Sequence, residues 1–119
     1  MPGYRKDRVA EDIKREIIAI TRELKDPRIQ GMLTVVRVEL SSDASFAKVY
    51  VSAMEGLDTA KLACKGLTSA VGYIRRELGT RLRLRITPEL KFIADDSIEY
   101  GMGITKILND LKVEEHDED

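Results

Sequence analysis

Arg75, Arg76, Arg81, Arg83 and Arg85 fall within eleven positions, and a single acid, Glu77, lies among them. A guanidinium stays charged at any physiological pH and presents a planar fork of N–H donors that matches two phosphate oxygens. The chemistry this cluster is equipped for is non-covalent: capture of a polyphosphate such as a nucleic-acid backbone. A plainer reading stands beside it, because arginines alternating with leucines also make the ordinary solvated face of a half-buried strand.

Bond-making chemistry has little to work with. The one histidine, His116, sits in an acidic tail that cannot hold a base within about 3 Å of a nucleophile. The one cysteine, Cys64, excludes an internal disulfide and any multi-cysteine zinc site. It falls in a helical pattern, where a free thiol behaves as a small hydrophobe. Asp95 and Asp96 are adjacent carboxylates, which before a helix read as a cap and a solvated turn rather than a metal pair. No P-loop pattern is present, and Gly101-Met102-Gly103 does not bridge a strand and a helix as a nucleotide loop would. The expectation is a non-enzyme with no cofactor and no metal.

The elements that must position the arginines follow from hydrophobic period. Val9, Ile13, Ile17, Ile20 and Leu24 recur at helical spacing, with Ala10 and Ile18 widening the stripe, so Tyr4 to Lys25 reads as an amphipathic helix. Arg8, Arg15 and Arg22 share its outer side, Glu11 and Arg15 are spaced for an ion pair, and Arg5 and Lys6 add charge at its start. Pro27 ends the helix. Leu33 to Leu40 and Phe46 to Ser52 alternate as strands about a Ser41-Ser42-Asp43 turn, which makes an antiparallel hairpin. In the first strand Val36, Val38 and Leu40 are expected inward and Arg37 and Glu39 outward. In the second, Ala47, Val49 and Val51 point inward and Lys48 and Tyr50 outward.

Asp58 is the expected N-cap of a helix running to about residue 78, with Ala63, Leu67, Ala70, Ile74 and Leu78 inside. Gly66 and Gly72 leave room for a break that period alone does not place. Gly79-Thr80 is read as the stop. A third strand, about Leu82 to Phe92, then puts Leu82, Leu84 and Ile86 inward and Arg81, Arg83 and Arg85 outward. Reversing the charge of Arg81 and Arg83 should on this reading leave the fold intact. Pro88 places the end of that strand on an edge. Asp96 to Glu99 fits a capping box before a last helix built on Ile104, Ile107, Leu108 and Leu111. Three strands with one covered face make a two-layer α+β sandwich.

Length and charge fit this. At 119 residues the chain is one domain, with 43% hydrophobic and 34% charged residues. The net charge of −1 hides an asymmetry: five acids lie in the last six residues, so the body through residue 113 holds 20 cations against 16 anions, about +4. No Trp and only six other aromatics argue against base-stacking platforms. No apolar run is long enough to span a membrane, no apolar signal region opens the chain, and Pro2 excludes myristoylation. A cytoplasmic protein is expected.

RVAEDIKREI in the first helix, DPRI at its end and the hairpin LTVVRVELSSDASFAKVYVS carry a resemblance, together with AVGYIRRELGTRLRLRITPELKF and DDSIEYGMGI. In order and spacing, from about Arg8 to Leu111, they resemble bacterial ribosome-binding factor A, a family of assembly factors of the 30S ribosomal subunit. The resemblance implies a type II KH-like fold, α-β-β-α-α-β, over residues 1–112, with a C-terminal helix, followed by an acidic disordered tail at 113–119. KH domains normally clamp four nucleotides with a GXXG loop between two helices. This chain has none there; the family has an Ala-x-Gly kink instead, which Ala70-Val71-Gly72 matches and which would break the long helix near residue 69.

The resemblance also implies a role. The family binds the free 30S subunit late in maturation, supports processing of the 16S rRNA 5′ end, aids growth in the cold and leaves before translation. The implied partners are the 30S subunit and its 16S rRNA, with other assembly factors as further candidates, no membrane and a monomeric protein. Candidate rRNA contacts are Arg5, Lys6 and Arg8 at the first helix, Arg37 and Lys48 on the sheet, and Arg75, Arg76, Arg81, Arg83 and Arg85. Arg28 is a further candidate, or else a structural partner of Asp26. The rival reading is a protein-interaction adaptor that uses the basic sheet face.

Overall fold

A computed structural model describes residues 2–96, with side chains from residue 7 onward. The order is α1 (Pro2–Glu23), β1 (Leu33–Leu40), β2 (Phe46–Ala53), α2 (Leu57–Ser69), α3 (Val71–Leu82) and β3 (Glu89–Ala94). β1 pairs antiparallel with β2, and β2 pairs parallel with β3, giving a mixed sheet in the order β1-β2-β3. This is the α+β sandwich of a type II KH-like domain. The parallel pairing needs a crossover, which α2 and α3 supply.

The core is the helical layer pressed on one sheet face. Ile13, Ile17 and Ile20 of α1, Leu67 of α2, and Ile74 and Leu78 of α3 are buried with Val35, Val49, Val51 and Phe92 of the strands. Val9, Ile18 and Leu24 pack at its margin, as the helical stripe requires. On α1, Arg15 pairs with Asp12 at 3.0 Å rather than with Glu11.

Two local expectations are corrected, and the expected break of the long helix is found. In β1 the register slips between Val35 and Arg37, so a bulge at Val36 gives the inner place to Val35. Strict alternation could not foresee an inserted residue. Gly56, not Asp58, is the N-cap of α2; its φ of 122° is a left-handed conformation, and Asp58 sits in the first turn. The long helix is two helices, and Ala70 (φ −99°, ψ 14°) closes one and opens the other. The kink matched by Ala70-Val71-Gly72 therefore falls at its first residue.

Gly66 has a packing reason. A Cβ there would lie 2.6 Å from Ile29 Cγ1, so α2 approaches the loop after α1 more closely than any side chain permits.

The largest correction concerns the end of α3. The helix runs through Gly79 and Thr80 to Leu82, and β3 starts only at Glu89. Gly79 is one turn inside the helix. Arg83 takes the left-handed position after the last turn (φ 53°, ψ 45°), and the N–H groups of Arg83 and Leu84 both donate to the Gly79 carbonyl. That is a left-handed helix closure, combining the αL-motif bond from Arg83 with the Schellman-type bond from Leu84, with arginine where glycine is usual. Pro88, with no N–H to offer a ladder, stands immediately before the strand. The expected capping box at Asp96–Glu99, the last helix over residues 104–111 and the acidic tail lie outside the described residues.

Candidate nucleic-acid interface

The row of Arg81, Arg83 and Arg85 along a strand does not exist, because no strand covers those residues. The sequence-predicted cations separate instead into those engaged by the fold and those left open.

Arg81, on the last turn of α3, is the most engaged. Its guanidinium donates to Glu23 at 2.8 Å and to Glu77 at 3.1 Å, and lies 3.7 Å from Glu16. The hydrogen bond to Glu23 is the leading cause that raises its pKa further above its already high value. Arg81 thus ties α3 to α1, and reversing its charge would place four carboxylates together. The premise that Arg81 points away from the fold is overturned, and with it the reason to expect that this change spares the fold. Arg75 is also structural: Nε donates to the Pro88 carbonyl at 3.0 Å and Nη2 to the Thr87 carbonyl at 2.9 Å.

Arg28 meets Asp26 through two side-chain hydrogen bonds, 3.0 and 2.6 Å, and reaches Ser69 Oγ at 3.1 Å. Those bonds and the Arg28 backbone N–H hold the Asp26 carboxyl down at about 2. Of its two candidate roles, the structure shows the partnership with Asp26. Arg37 projects from the open sheet face, as expected, but Glu39 accepts from its Nε at 2.9 Å and its guanidinium stacks 4.0 Å from the Tyr50 ring centre. Tyr50 also donates to Glu39 at 3.0 Å. Arg37 lowers the Glu39 pKa first and Tyr50 second.

The remaining cations are open. Arg8, Lys48, Arg76, Arg83 and Arg85 are exposed and take part in no ion pair among the described residues. Arg76 lies over the edge of the Tyr73 ring, 6.0 Å from its centre. Arg5 and Lys6 belong to α1, but their side chains lie outside the described set.

Topology brings several of these together. Arg81 reaches both Glu16 and Glu23 of α1, and Tyr73, eight residues earlier on α3, reaches Glu23 at 3.4 Å, so α3 is seated on the second half of α1. The loop after α3 meets the hairpin, since the Glu89 N–H donates to the Ser45 carbonyl at 3.0 Å and links the loop before β3 to the β1–β2 turn. Asp43 is exposed in that turn, yet its carboxylate accepts from both Ser45 and Ser41 hydroxyls, which with the Ser45 N–H hold it down at about 2. Arg83 and Arg85 are the open cations of the loop tied to that turn. On the adjoining half of the open sheet face, register places Lys91 directly beside Lys48.

Lys91 lies inside the third strand as expected from the sequence, at an outward position, but the sequence pattern favoured the arginines at the false start of that strand. Pro88 was the signal: a residue without an N–H fits the position before a strand better than its interior.

A groove of about 370 Å3 between α1, the following loop and β1 is lined by Ile18, Leu24, Ile29, Leu33 and Val35 among others, and the described lining holds no carboxylate, histidine or cysteine. Burial pushes the Cys64 thiol up to about 11, which makes it a poor nucleophile. Among the described residues no group of three or more His, Cys, Asp or Glu could hold a metal, and no helix is long and apolar enough to cross a membrane.

Comparison with known proteins adds the lineage. A family model described as ribosome-binding factor A matches residues 5–108. The chain is 45% identical to ribosome-binding factor A of Clostridium tetani over 98% of both chains. It is 44% identical to that of Caldanaerobacter subterraneus subsp. tengcongensis, over 97% of this chain and 95% of the relative. The crystal structure of ribosome-binding factor A from Thermus thermophilus superposes with a TM-score of 0.66 at 32% identity, covering 75% of this chain and 93% of that one. A homology model of the Thermus thermophilus factor, fitted into a cryo-EM map of its 30S complex, gives 0.65 at 32% identity, with 77% and 97% covered. On the extent and consistency of these matches, the chain belongs to the ribosome-binding factor A family.

Proposed function

We propose that this chain is a non-catalytic ribosome-binding factor. It binds the free 30S subunit through 16S rRNA, late in subunit maturation, and supports processing of the 16S rRNA 5′ end and growth in the cold. It acts in the cytoplasm as a monomer, with no cofactor. The observation that carries this reading is the family match along nearly the whole chain, including a relative fitted into a map of its 30S complex.

The open cations support a manner of binding. Open cations on the loop after α3 and on the sheet face contact phosphates and release counterions, so affinity falls steeply with salt. Phosphate contacts orient the protein, and the folded rRNA surface provides selectivity through shape. Holding one rRNA conformation shifts an equilibrium by no more than the difference in affinity for its two states.

Sedimentation through sucrose with purified 30S subunits, 50S subunits and complete ribosomes tests the reading. Co-migration with the free 30S subunit alone, lost as salt rises, is the expected result. Failure to co-migrate with any particle refutes it. Ribonuclease treatment that leaves a complex with a protein partner intact would favour the adaptor reading instead.

A further inference from the structure

The segment between α3 and β3, residues 83–88, is short, irregular and held from three sides. The Arg75 guanidinium grips the carbonyls of Thr87 and Pro88 from within the fold. The Leu84 N–H closes onto Gly79 at 3.1 Å, and the Glu89 N–H onto Ser45 at 3.0 Å. Gly79 lets the returning chain lie against α3, since a Cβ there would sit 2.8 Å from Thr87 Oγ1. Pro88 is buried. A loop so tied loses little further freedom when it meets a partner.

Its outward residues are Arg83, Arg85 and Ile86. Ile86 is 69% exposed, the most exposed large hydrophobic residue among the described ones. A lone exposed apolar residue on a surface is ordinary. This one differs in its setting: it is displayed by a clamped backbone, directly beside Arg85, three residues from Arg83, with no carboxylate between them. Arg83 itself is held in a left-handed conformation that a non-glycine residue rarely adopts. A strained backbone, two unpaired cations and an unburied isoleucine in one rigid loop are poor choices for stability. They suit a surface that is completed by binding.

We infer that residues 83–87 form a preorganised RNA-docking tip, in which Ile86 is an apolar anchor against base and ribose surface while Arg83 and Arg85 hold the flanking phosphates. The inference rests on the ribosome-binding reading and deepens it. Aliphatic side chains serve as anchors or wedges against nucleic acid where phosphate contacts bring them close. The shallow minor groove of A-form RNA, or an unstacked single strand, exposes the matching surface.

The test separates the apolar contact from the ionic ones. Affinity for purified 30S subunits is measured across a salt series for the wild type, Ile86→Ala, Ile86→Met and the double variant Arg83→Gln/Arg85→Gln. Ile86 is exposed, so its variants fold. Ile86→Ala is expected to bind about tenfold more weakly at every salt concentration, with an unchanged salt slope. Ile86→Met retains most of the affinity, and the arginine variant flattens the slope by about two. Replacing Ile86 with a photo-crosslinking benzoylphenylalanine should give adducts to 16S rRNA. Wild-type affinity in Ile86→Ala, or adducts to ribosomal protein only, overturns the anchor while leaving ribosome binding standing. Absence of wild-type binding refutes ribosome binding itself, and the anchor with it.

Discussion

The last turn of α3 and the loop that follows it carry the same residue type two positions apart and use it in opposite ways. Arg81 is surrounded by Glu16, Glu23 and Glu77, whereas Arg83 and Arg85 face solvent without an acid partner among the described residues. Arg75, on the same helix, spends its donors on the Thr87 and Pro88 carbonyls. Cation density along a sequence therefore says little about binding. The attraction a phosphate feels depends on which charges the fold has already answered. Arg75 and Arg81 build the support, and Arg83 and Arg85 are what it presents.

Charge reversal should expose the difference most sharply. Arg81→Glu removes three attractions and adds a fourth carboxylate to the α1–α3 seam. A fall in Tm of about 10 °C is expected, followed by circular dichroism. If Arg81→Glu melted like the wild type, the seam would not depend on this residue and the contrast with Arg83 would collapse. The double variant Arg83→Glu/Arg85→Glu should behave in the opposite way. Its Tm stays within a few degrees of the wild type, because neither side chain supports the core. Its affinity for the 30S subunit falls by about a hundredfold at low salt, since each site swaps an attraction for a repulsion. An unaltered affinity in that variant would reduce this pair of arginines to solvated surface.

A subtler substitution separates stability from binding at a single position. Arg83 occupies the left-handed site that ends α3, where glycine is free of the Cβ clash. Arg83→Gly should stabilise the domain by about 1 kcal/mol in urea titration, and at the same time weaken 30S binding several-fold through the lost cation. Opposite signs in the two measurements would mark Arg83 as a residue held under strain for its function. A loss in both would mean that the side chain supports the helix end.

This position also shows what the sequence could convey. The helix–hairpin–helix order, the inner faces of α1 and β2, and the apolar run Ala63, Leu67, Ile74 and Leu78 were legible because burial imposes a period on the chain. The break at Ala70 was legible only as a family feature, since the apolar stripe continues across it. The end of α3 was misread because Gly79 looks like a terminator and RLRLRI alternates like a strand. The helix in fact ends in a closure defined by backbone hydrogen bonds at Arg83, and a side-chain pattern does not record those. The candidate site was legible as composition and not as partnership: every arginine could be named, but none could be sorted into paired or open until Glu16, Glu23 and Glu77 converged from two helices.

The smallest expected effect sharpens the comparison from the paired side, at Arg28. Asp26 accepts from the Arg28 side chain and backbone, and Arg28 reaches on to Ser69, linking the loop after α1 to the end of α2. The folded Asp26 carboxyl titrates at about 2, below its ordinary 3.8. A carboxyl whose folded pKa is depressed contributes its full stabilisation above the unfolded value and loses it as pH falls through the folded one. The contribution is therefore constant above about pH 4, declines between about 4 and 2, and is gone below. Asp26→Asn removes it at every pH. Both side chains are partly open to solvent, so screening keeps the effect modest. Urea titrations at stepped pH should show the wild type more stable than Asp26→Asn near neutrality, with the gap closing between pH 4 and pH 2. A gap that stayed constant down to pH 2 would show that the asparagine fails for reasons of shape, and would remove Arg28 from the set of arginines held by charge.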